Sequence, residues 1–150
     1  MSYISATQAS EKEAWSLDQW LTYLEQVHPS NIELGLERVA KVYEEFPGLD
    51  AGNKQVDLSQ RTIITVAGTN GKGTTCAFIE QALLVSKHSV AVFSSPHLLD
   101  YRERVRIAGA MLTEKAHCQA FLKVDQARGD TSLTYFEFGT LAALQLMADS

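Results

Sequence analysis

A β-branched, apolar segment runs directly into a glycine-rich turn near the middle of the chain. Residues 62–67 (TIITVA) have the composition of a strand that is buried on both faces of a sheet. Residues 68–74 (GTNGKGT) form the turn, and a helical pattern continues from about Thr74 to Ser86. This order gathers backbone N–H groups and the positive end of a helix dipole around one small volume. The sequence therefore predicts a phosphate-binding turn in an α/β fold.

The composition of the turn favours a nucleotide. Its glycines let the backbone approach phosphate oxygens closely, and Lys72 adds a mobile positive charge suited to the β and γ phosphates. An ordinary glycine-rich strand-to-helix turn would explain the glycines but not the adjacent lysine. Since a strand and a helix flank the motif as it requires, we predict that ATP is bound by Gly68, Thr69, Asn70, Gly71, Lys72, Gly73 and Thr74.

The turn departs from the ordinary P-loop pattern, G-x-x-x-x-G-K-[ST]. It is shorter, and Gly73 stands where that pattern has the hydroxyl that binds magnesium. Another oxygen must help to hold Mg²⁺. Thr74 is one residue late, whereas Ser95 follows the next predicted strand, at the sheet edge where ligands bind in open parallel sheets. Ser95 is our preferred metal ligand, although a turn serine ahead of Pro96 explains it equally well.

The elements around the turn predict a mostly parallel sheet. Two helices come first, and Ser16 with Gln19 has the form of a capping box at the start of one of them. Residues 90–93 predict a second buried strand, at the spacing of a parallel βαβ unit. Residues 104–108 alternate as a short exposed strand. Thr113 opens a helix that ends near Gly129, and residues 133–139 lead into a last helix.

The last helix stops where another parallel strand is due. A sheet of two or three strands leaves the apolar faces of its helices poorly covered. We therefore expect the chain to be truncated, with residues 1–150 forming the N-terminal portion of an ATP-binding domain.

Charge and hydropathy exclude two classes of partner. The 150 residues carry a formal net charge of -5, with no long run of Lys or Arg to follow a nucleic-acid backbone. No apolar run approaches the roughly 20 residues that span a bilayer, and the N-terminus lacks a signal-peptide pattern. We expect a cytoplasmic protein without a nucleic-acid or membrane partner.

Several motifs together resemble one enzyme family. Residues 65–75 (TVAGTNGKGTT), then 94–98 (SSPHL) and 103–106 (ERVR), closely resemble the folylpolyglutamate synthase and dihydrofolate synthase family of the Mur ligase superfamily. Residues 32–39 (IELGLERV) and 133–140 (LTYFEFGT) resemble its bacterial bifunctional members. The likeness runs in the same order from about Leu17 to the end of the chain, which is far more specific than one glycine turn.

The resemblance implies a fold and a reaction. The fold is a P-loop-containing three-layer sandwich, the Mur-ligase-like central ATPase domain. ATP phosphorylates a carboxylate of the pterin substrate, and the amine of L-glutamate attacks the acyl phosphate. Dihydropteroate would thus become dihydrofolate, and tetrahydrofolate would gain further glutamates. ATP and Mg²⁺ are the implied cofactors, and the full-length protein is expected to be a monomer.

The resemblance also assigns residues. Lys72 would be the catalytic cation beside the phosphates, Thr74 would support them, and Ser95 would ligate magnesium. The pterin substrate would be bound by Glu33, Leu34, Gly35, Thr134, Tyr135, Phe136 and Glu137. Phe136 would stack on the flat ring. Without the resemblance, packing of the aromatic residues of this segment against the sheet would be the favoured interpretation.

Two rival functions remain open at this point. A cell-wall Mur ligase usually has Ser or Thr after the loop lysine, so Gly73 favours the folate branch. A nucleotide-binding module without its own chemistry is the other, because the family's remaining metal ligands and its C-terminal domain would lie beyond Ser150. The chain alone is therefore expected to be inactive. His97 is left off the site, and Arg102, Arg104 and Arg106 are interpreted as a solvated strand face.

Overall fold

The structure is a computed structural model that describes residues 11–28, 35–45 and 61–150. Within these residues, helices dominate and the strands are short. In chain order the elements are α1 (Leu17–Gln26), α2 (Glu37–Glu44), α3 (Lys72–Val85), β1 (Ala91–Phe93), a 3₁₀ helix (Tyr101–Arg104), β2 (Val105–Ile107), β3 (Ala110–Met111), α4 (Glu114–Arg128) and α5 (Tyr135–Ala148).

The helix boundaries follow their capping residues. The capping box predicted for α1 is confirmed, because Ser16 Oγ accepts from the Gln19 N–H at 3.3 Å and the Gln19 side chain accepts from the Ser16 N–H at 2.8 Å. Thr113 caps α4 as predicted, accepting from the Ala116 N–H at 3.2 Å. α4 ends at Gly129, whose φ of 52° favours glycine.

The core lies where α1 packs across the paired helices α4 and α5. Trp20, Phe121 and Phe138 are fully buried at its centre, and the Phe121 ring lies 5.8 Å from Trp20 and 6.0 Å from Phe138. Aromatic side chains of this size bury large apolar areas, so they supply much of the packing stabilisation. Aliphatic side chains complete this core, among them Leu17, Leu24, Val42, Val124, Leu133, Leu141 and Leu146.

The sheet is antiparallel, and the mostly parallel sheet predicted from the sequence is wrong for the described residues. β1 pairs with β2 through Ala91↔Ile107 and Phe93↔Val105, and β2 pairs with β3. The chain returns after β1 through a turn and a single 3₁₀ helix. This connection is too short for a right-handed crossover, so the next strand can only run back alongside β1. β1 is half-exposed rather than buried.

Residues 62–67 do not form the predicted buried strand. They have no regular structure, and Ile63 and Ile64 are 63% and 54% exposed. No strand of the described residues pairs with them. A β-branched composition favours a strand only where neighbouring strands provide a pleated, half-buried surface for it to pack on. The described residues provide no such neighbouring strand.

An ion pair connects α3 to the sheet. Glu80, on α3, is 3% exposed, and both of its oxygens accept from Arg106 on β2, the shortest distance being 2.6 Å. The interpretation of Arg106 as part of a solvated strand face is therefore wrong. The opposite face of α3 is open, with Phe78 and Val85 exposed. None of the helices in the described segments combines the length and apolarity needed to cross a membrane.

Candidate functional site

The glycine turn forms the start of α3. Gly71 is the N-cap residue, and its φ of 76° lies in the left-handed region that favours glycine. A Cβ built on Gly71 or on Gly73 would meet no heavy atom within 4 Å. The backbone of the turn therefore faces open space, with room for a ligand to approach it.

The N-terminus of α3 differs from those of the other long helices. No side chain caps it, and its first turn contains no acidic residue. In contrast, α1, α4 and α5 each have a Ser or Thr cap and a carboxylate in the first turn. The first N–H groups of a helix have no partner within it. At α3 they are left to be satisfied by solvent or by a bound anion.

Lys72 places a positive charge at the same point. Its Nζ donates to the carbonyl oxygen of Gly68 at 2.5 Å and to that of Thr69 at 3.3 Å. The ammonium group is thus held over the turn rather than extended into solvent. Open backbone, uncapped N–H groups and a lysine ammonium fit the requirements of a polyphosphate.

Ser95 lies on the turn that follows β1, and it is hydrogen-bonded to Arg104, the residue that precedes β2. Arg104 Nη1 donates to Ser95 Oγ at 3.3 Å, Arg104 Nε donates to His97 Nδ1 at 2.9 Å, and the Ser94 N–H donates to the Arg104 carbonyl oxygen at 2.9 Å. Through Arg104, Ser95 and His97 are linked to the end of the 3₁₀ helix.

The described residues do not form a complete metal site. In the part of the chain that the structure describes, no group of three or more His, Cys, Asp and Glu side chains is arranged to hold a metal ion. Ser95 supplies one exposed oxygen, which suits a hard cation such as Mg²⁺ but is too few ligands on its own. Other oxygens would have to complete the coordination.

Glu103 holds the turn between β1 and β2 in shape. Its two carboxylate oxygens accept the N–H groups of Leu98, Leu99 and Asp100 at 2.7, 3.0 and 2.9 Å. These backbone hydrogen bonds, led by that of Leu98, lower the pKa of Glu103. Asp100 in turn accepts from Arg102, and that hydrogen bond lowers the pKa of Asp100 to about 2.

Arg104 is the residue that sequence reasoning missed. It is 9% exposed, and its guanidinium carbon lies 5.4 Å from the ring centroids of both Tyr101 and Tyr135. The interpretation of Arg104 as part of a solvated strand face is also wrong, because Arg104 lies on the 3₁₀ helix and its side chain is buried. The signal available in the sequence was the capping-box pair Asp100 and Glu103, which fixes that helix.

Two of the predicted pterin-binding residues stabilise the start of α5. Thr134 Oγ1 accepts from the Glu137 N–H at 3.3 Å, and Glu137 Oε2 accepts from the Thr134 N–H at 2.8 Å. Arg38 of α2 also pairs with Glu137, at 2.8 Å. Burial acts to raise the pKa of Glu137, but the hydrogen bonds from Thr134 and Arg38 lower it overall.

The aromatic members of the same segment remain accessible. Phe136 is 53% exposed, and its ring centroid lies 5.9 Å from that of Phe93 on β1. Tyr135 is half-buried, and burial raises the pKa of its hydroxyl. Gly35 is described, with a φ of 140°, whereas Glu33 and Leu34 lie outside the described residues.

Arg104 brings the candidate residues of the sheet edge together. It contacts Ser95, the predicted metal ligand, and Tyr135, a predicted substrate residue. Phe93, which contacts Phe136, pairs with Val105, the residue after Arg104. The glycine turn lies at the start of α3, and α3 itself contacts β1.

The comparisons with known proteins agree on one family. The chain is 50% identical over 130 residues to the dihydrofolate synthase/folylpolyglutamate synthase of Escherichia coli strain K12, which covers 87% of this chain and 29% of that protein. Escherichia coli FolC in complex with DHPP and ADP has a TM-score of 0.81 at 47% identity, covering 91% of this chain and 31% of that one. No protein-family model matches the chain.

A second solved structure carries a nucleotide analogue and a metal. The bifunctional folylpolyglutamate synthase/dihydrofolate synthase from Yersinia pestis, complexed with AMPPNP and Mn ion, has a TM-score of 0.78 at 51% identity. The match covers 91% of this chain and 32% of that one. The chain thus spans about a third of the length of the proteins it matches, and over that length it shares their fold.

Proposed function

Because this chain is homologous to bifunctional dihydrofolate synthase/folylpolyglutamate synthases, we propose that it forms the ATP-binding part of an ATP-dependent amide ligase. The ligase joins L-glutamate to dihydropteroate and extends the glutamate tail of tetrahydrofolate. The observation that carries the proposal is the uncapped start of α3, with Lys72 over a glycine turn that faces open space.

The turn contributes to the first chemical step. Phosphoryl transfer to a substrate carboxylate depends on positioning and on neutralising charge more than on covalent help. The N–H groups of Gly71 and the following residues bind the phosphates. The Lys72 ammonium group gives up its hydrogen bonds to the turn carbonyls and pairs with the β and γ phosphate oxygens instead. Mg²⁺ would supply further charge neutralisation when bound, and Ser95 would help to hold it, with Thr74 as the alternative hydroxyl.

The pterin ring is assigned to the exposed face of Phe136. An aromatic side chain that is half-exposed and held from behind by Phe93 offers a rigid stacking surface at low entropic cost. Thr134 and Glu137 order the start of α5 and so position Phe136, and Tyr135 borders the same area. Glu33, Leu34 and Gly35 are assigned to the other side of the ring on the family resemblance.

The complete domain is proposed to be a P-loop three-layer sandwich with a mostly parallel sheet. The exposed apolar residues Ile63, Ile64 and Phe78 would be covered when residues 62–67 pair with other strands of the complete domain. The complete protein is assigned to the cytoplasm as a monomer that uses small-molecule substrates.

Removing the Lys72 ammonium should weaken ATP binding. For the substitution Lys72→Ala we expect Mg-ATP affinity to fall roughly 10- to 100-fold, because a charge-assisted contact to phosphate is lost. Isothermal titration calorimetry measures the effect. The matched control is Lys115→Ala, an exposed lysine in the first turn of α4, which should leave affinity unchanged. Equal affinities for Lys72→Ala and wild type would refute the nucleotide site.

The chain alone should bind ATP without turning it over. We expect no ADP release above background with dihydropteroate and L-glutamate present, because Ser95 alone cannot hold the metal and the described residues offer no further cluster of ligands. A coupled assay for ADP tests this. Substrate-dependent ADP release would instead mean that the reaction centre is complete in these residues. ATP binding without any dihydropteroate binding would favour a nucleotide-binding module.

A further inference from the structure

Arg104 is a buried cation without a carboxylate partner. It is 9% exposed, and its side-chain hydrogen bonds go to Ser95 Oγ and His97 Nδ1, neither of which is a carboxylate. No carboxylate of the described residues pairs with it. Other arginines in these segments do form carboxylate pairs, namely Arg38 with Glu137, Arg102 with Asp100, Arg106 with Glu80 and Arg128 with Asp125.

Burying an unpaired charge is expensive, so its retention needs a reason. The faces of Tyr101 and Tyr135 compensate part of the cost through cation–π contacts. The two hydrogen bonds use Nε and Nη1, which leaves Nη2 without a partner among the described residues. The buried side-chain atoms without partners there belong to Trp20, His117 and Gln145, so Nη2 of Arg104 reaches the surface.

The position of Arg104 indicates what pairs with it. It contacts both Ser95 and Tyr135, and Tyr135 precedes Phe136 in the sequence. In the proposed function the phosphates and metal lie near Ser95 and the pterin ring lies on Phe136. The substrate group that must lie between them is the carboxylate that accepts the phosphoryl group.

We infer that Arg104 binds the reacting carboxylate of the pterin substrate through its free Nη2 edge, an inference that rests on the proposed function. A guanidinium is planar and permanently charged, and it matches the geometry of a carboxylate. When a carboxylate oxygen attacks the γ-phosphorus and ADP leaves, the negative charge moves to the phosphoryl oxygens of the acyl phosphate, and the same edge would then pair with one of those oxygens. The contacts with the two tyrosine rings and the hydrogen bond to His97 hold the guanidinium in this orientation.

Binding of two pterins to the chain tests the inference by separating charge recognition from packing. Dihydropteroate carries the carboxylate, and 6-hydroxymethyl-7,8-dihydropterin lacks it. For Arg104→Gln we expect roughly 10- to 100-fold weaker binding of dihydropteroate, and less than about twofold change for the alcohol. Arg104→Lys should recover part of the loss. Fluorescence titration gives both affinities, and thermal unfolding reports on folding.

Arg102→Gln is the matched control, because Arg102 lies two residues away, is partly exposed and already pairs with Asp100. It should leave both affinities unchanged. Equal weakening of the two pterins by Arg104→Gln, or no weakening of dihydropteroate, would overturn the inference. Wild-type chain that binds ATP but not dihydropteroate would also overturn it while leaving the nucleotide site intact. Failure to bind either would overturn the proposed function itself.

Discussion

Replacing Asp125 by asparagine should lower the free energy of unfolding by about 3–5 kcal/mol, because it removes the anion from a buried ionic cluster. Asp125 Oδ2 lies 2.6 Å from Lys12 Nζ, and Oδ1 accepts from Arg128 Nε at 2.9 Å and from the Tyr23 hydroxyl at 2.8 Å. Its side chain is 7% exposed, and those of Lys12 and Arg128 are 17% and 12% exposed. The asparagine variant would leave two buried cations unpaired. Urea denaturation measures the change.

A second aspartate gives the control for this experiment. Asp149 also pairs with a lysine, Lys123, at 2.8 Å, but the two side chains are 50% and 41% exposed. Exposed pairs contribute little, so Asp149→Asn should change stability by less than about 1 kcal/mol. Equal losses for the two variants would mean that water compensates the cations left by Asp125→Asn and that burial of the cluster adds nothing to its contribution to stability.

Local features of the fold were predictable from the sequence. Ser16 and Thr113 cap α1 and α4 as expected, since a cap depends on residues three positions apart. The helix after the glycine turn also forms, beginning at Lys72 rather than Thr74. These elements are specified within one or two turns of chain, so no distant partner is needed to identify them.

Strand pairing was not predictable, because it depends on neighbours distant in sequence. Residues 90–93 have the composition of a parallel core strand, yet β1 pairs with β2 in the antiparallel sense. The short connection through the Glu103 turn leaves no room for a crossover. Residues 62–67 have the same kind of composition and no strand beside them in the described part of the chain. β-Propensity alone contained no information on either outcome.

The candidate site also contains one part that local sequence predicts and one part that it does not. The glycine turn and Lys72 are contiguous, so their geometry follows from the motif. The environment of Arg104 does not, because Ser95, His97, Tyr101 and Tyr135 surround it only after the 3₁₀ helix folds. In sequence, Arg104 alternates with Val105 in the manner of an exposed strand. The capping pair Asp100 and Glu103 predicts the 3₁₀ helix, but the burial of Arg104 also needs Tyr135, which lies far away in sequence.

A buried histidine makes the stability of the core depend on pH. His117 of α4 is 1% exposed, and its ring centroid lies 5.6 Å from that of Tyr101 in an edge-on arrangement. Its Nε2 has no hydrogen-bond partner in the structure. Burial, and secondarily the positive charge of Arg102, lower the pKa of His117 to about 4, and Asp100 opposes them weakly.

Acidification should therefore destabilise the chain through His117 at a pH above the range in which Glu103, Glu137 and Asp100 contribute. The unfolded chain binds a proton at His117 near pH 6.5 and the folded chain near pH 4, so stability falls as the pH drops between these values, by about 3 kcal/mol in all. His117→Phe keeps a ring against Tyr101 but cannot titrate, so it should flatten this part of the profile. The exposed-site control His88→Gln should leave it steep. Urea denaturation across this pH range measures the slopes, and an unchanged slope in His117→Phe would exclude His117 as the cause. The carboxylates Glu103, Glu137 and Asp100 act at lower pH, because their pKa values are lowered in the folded chain.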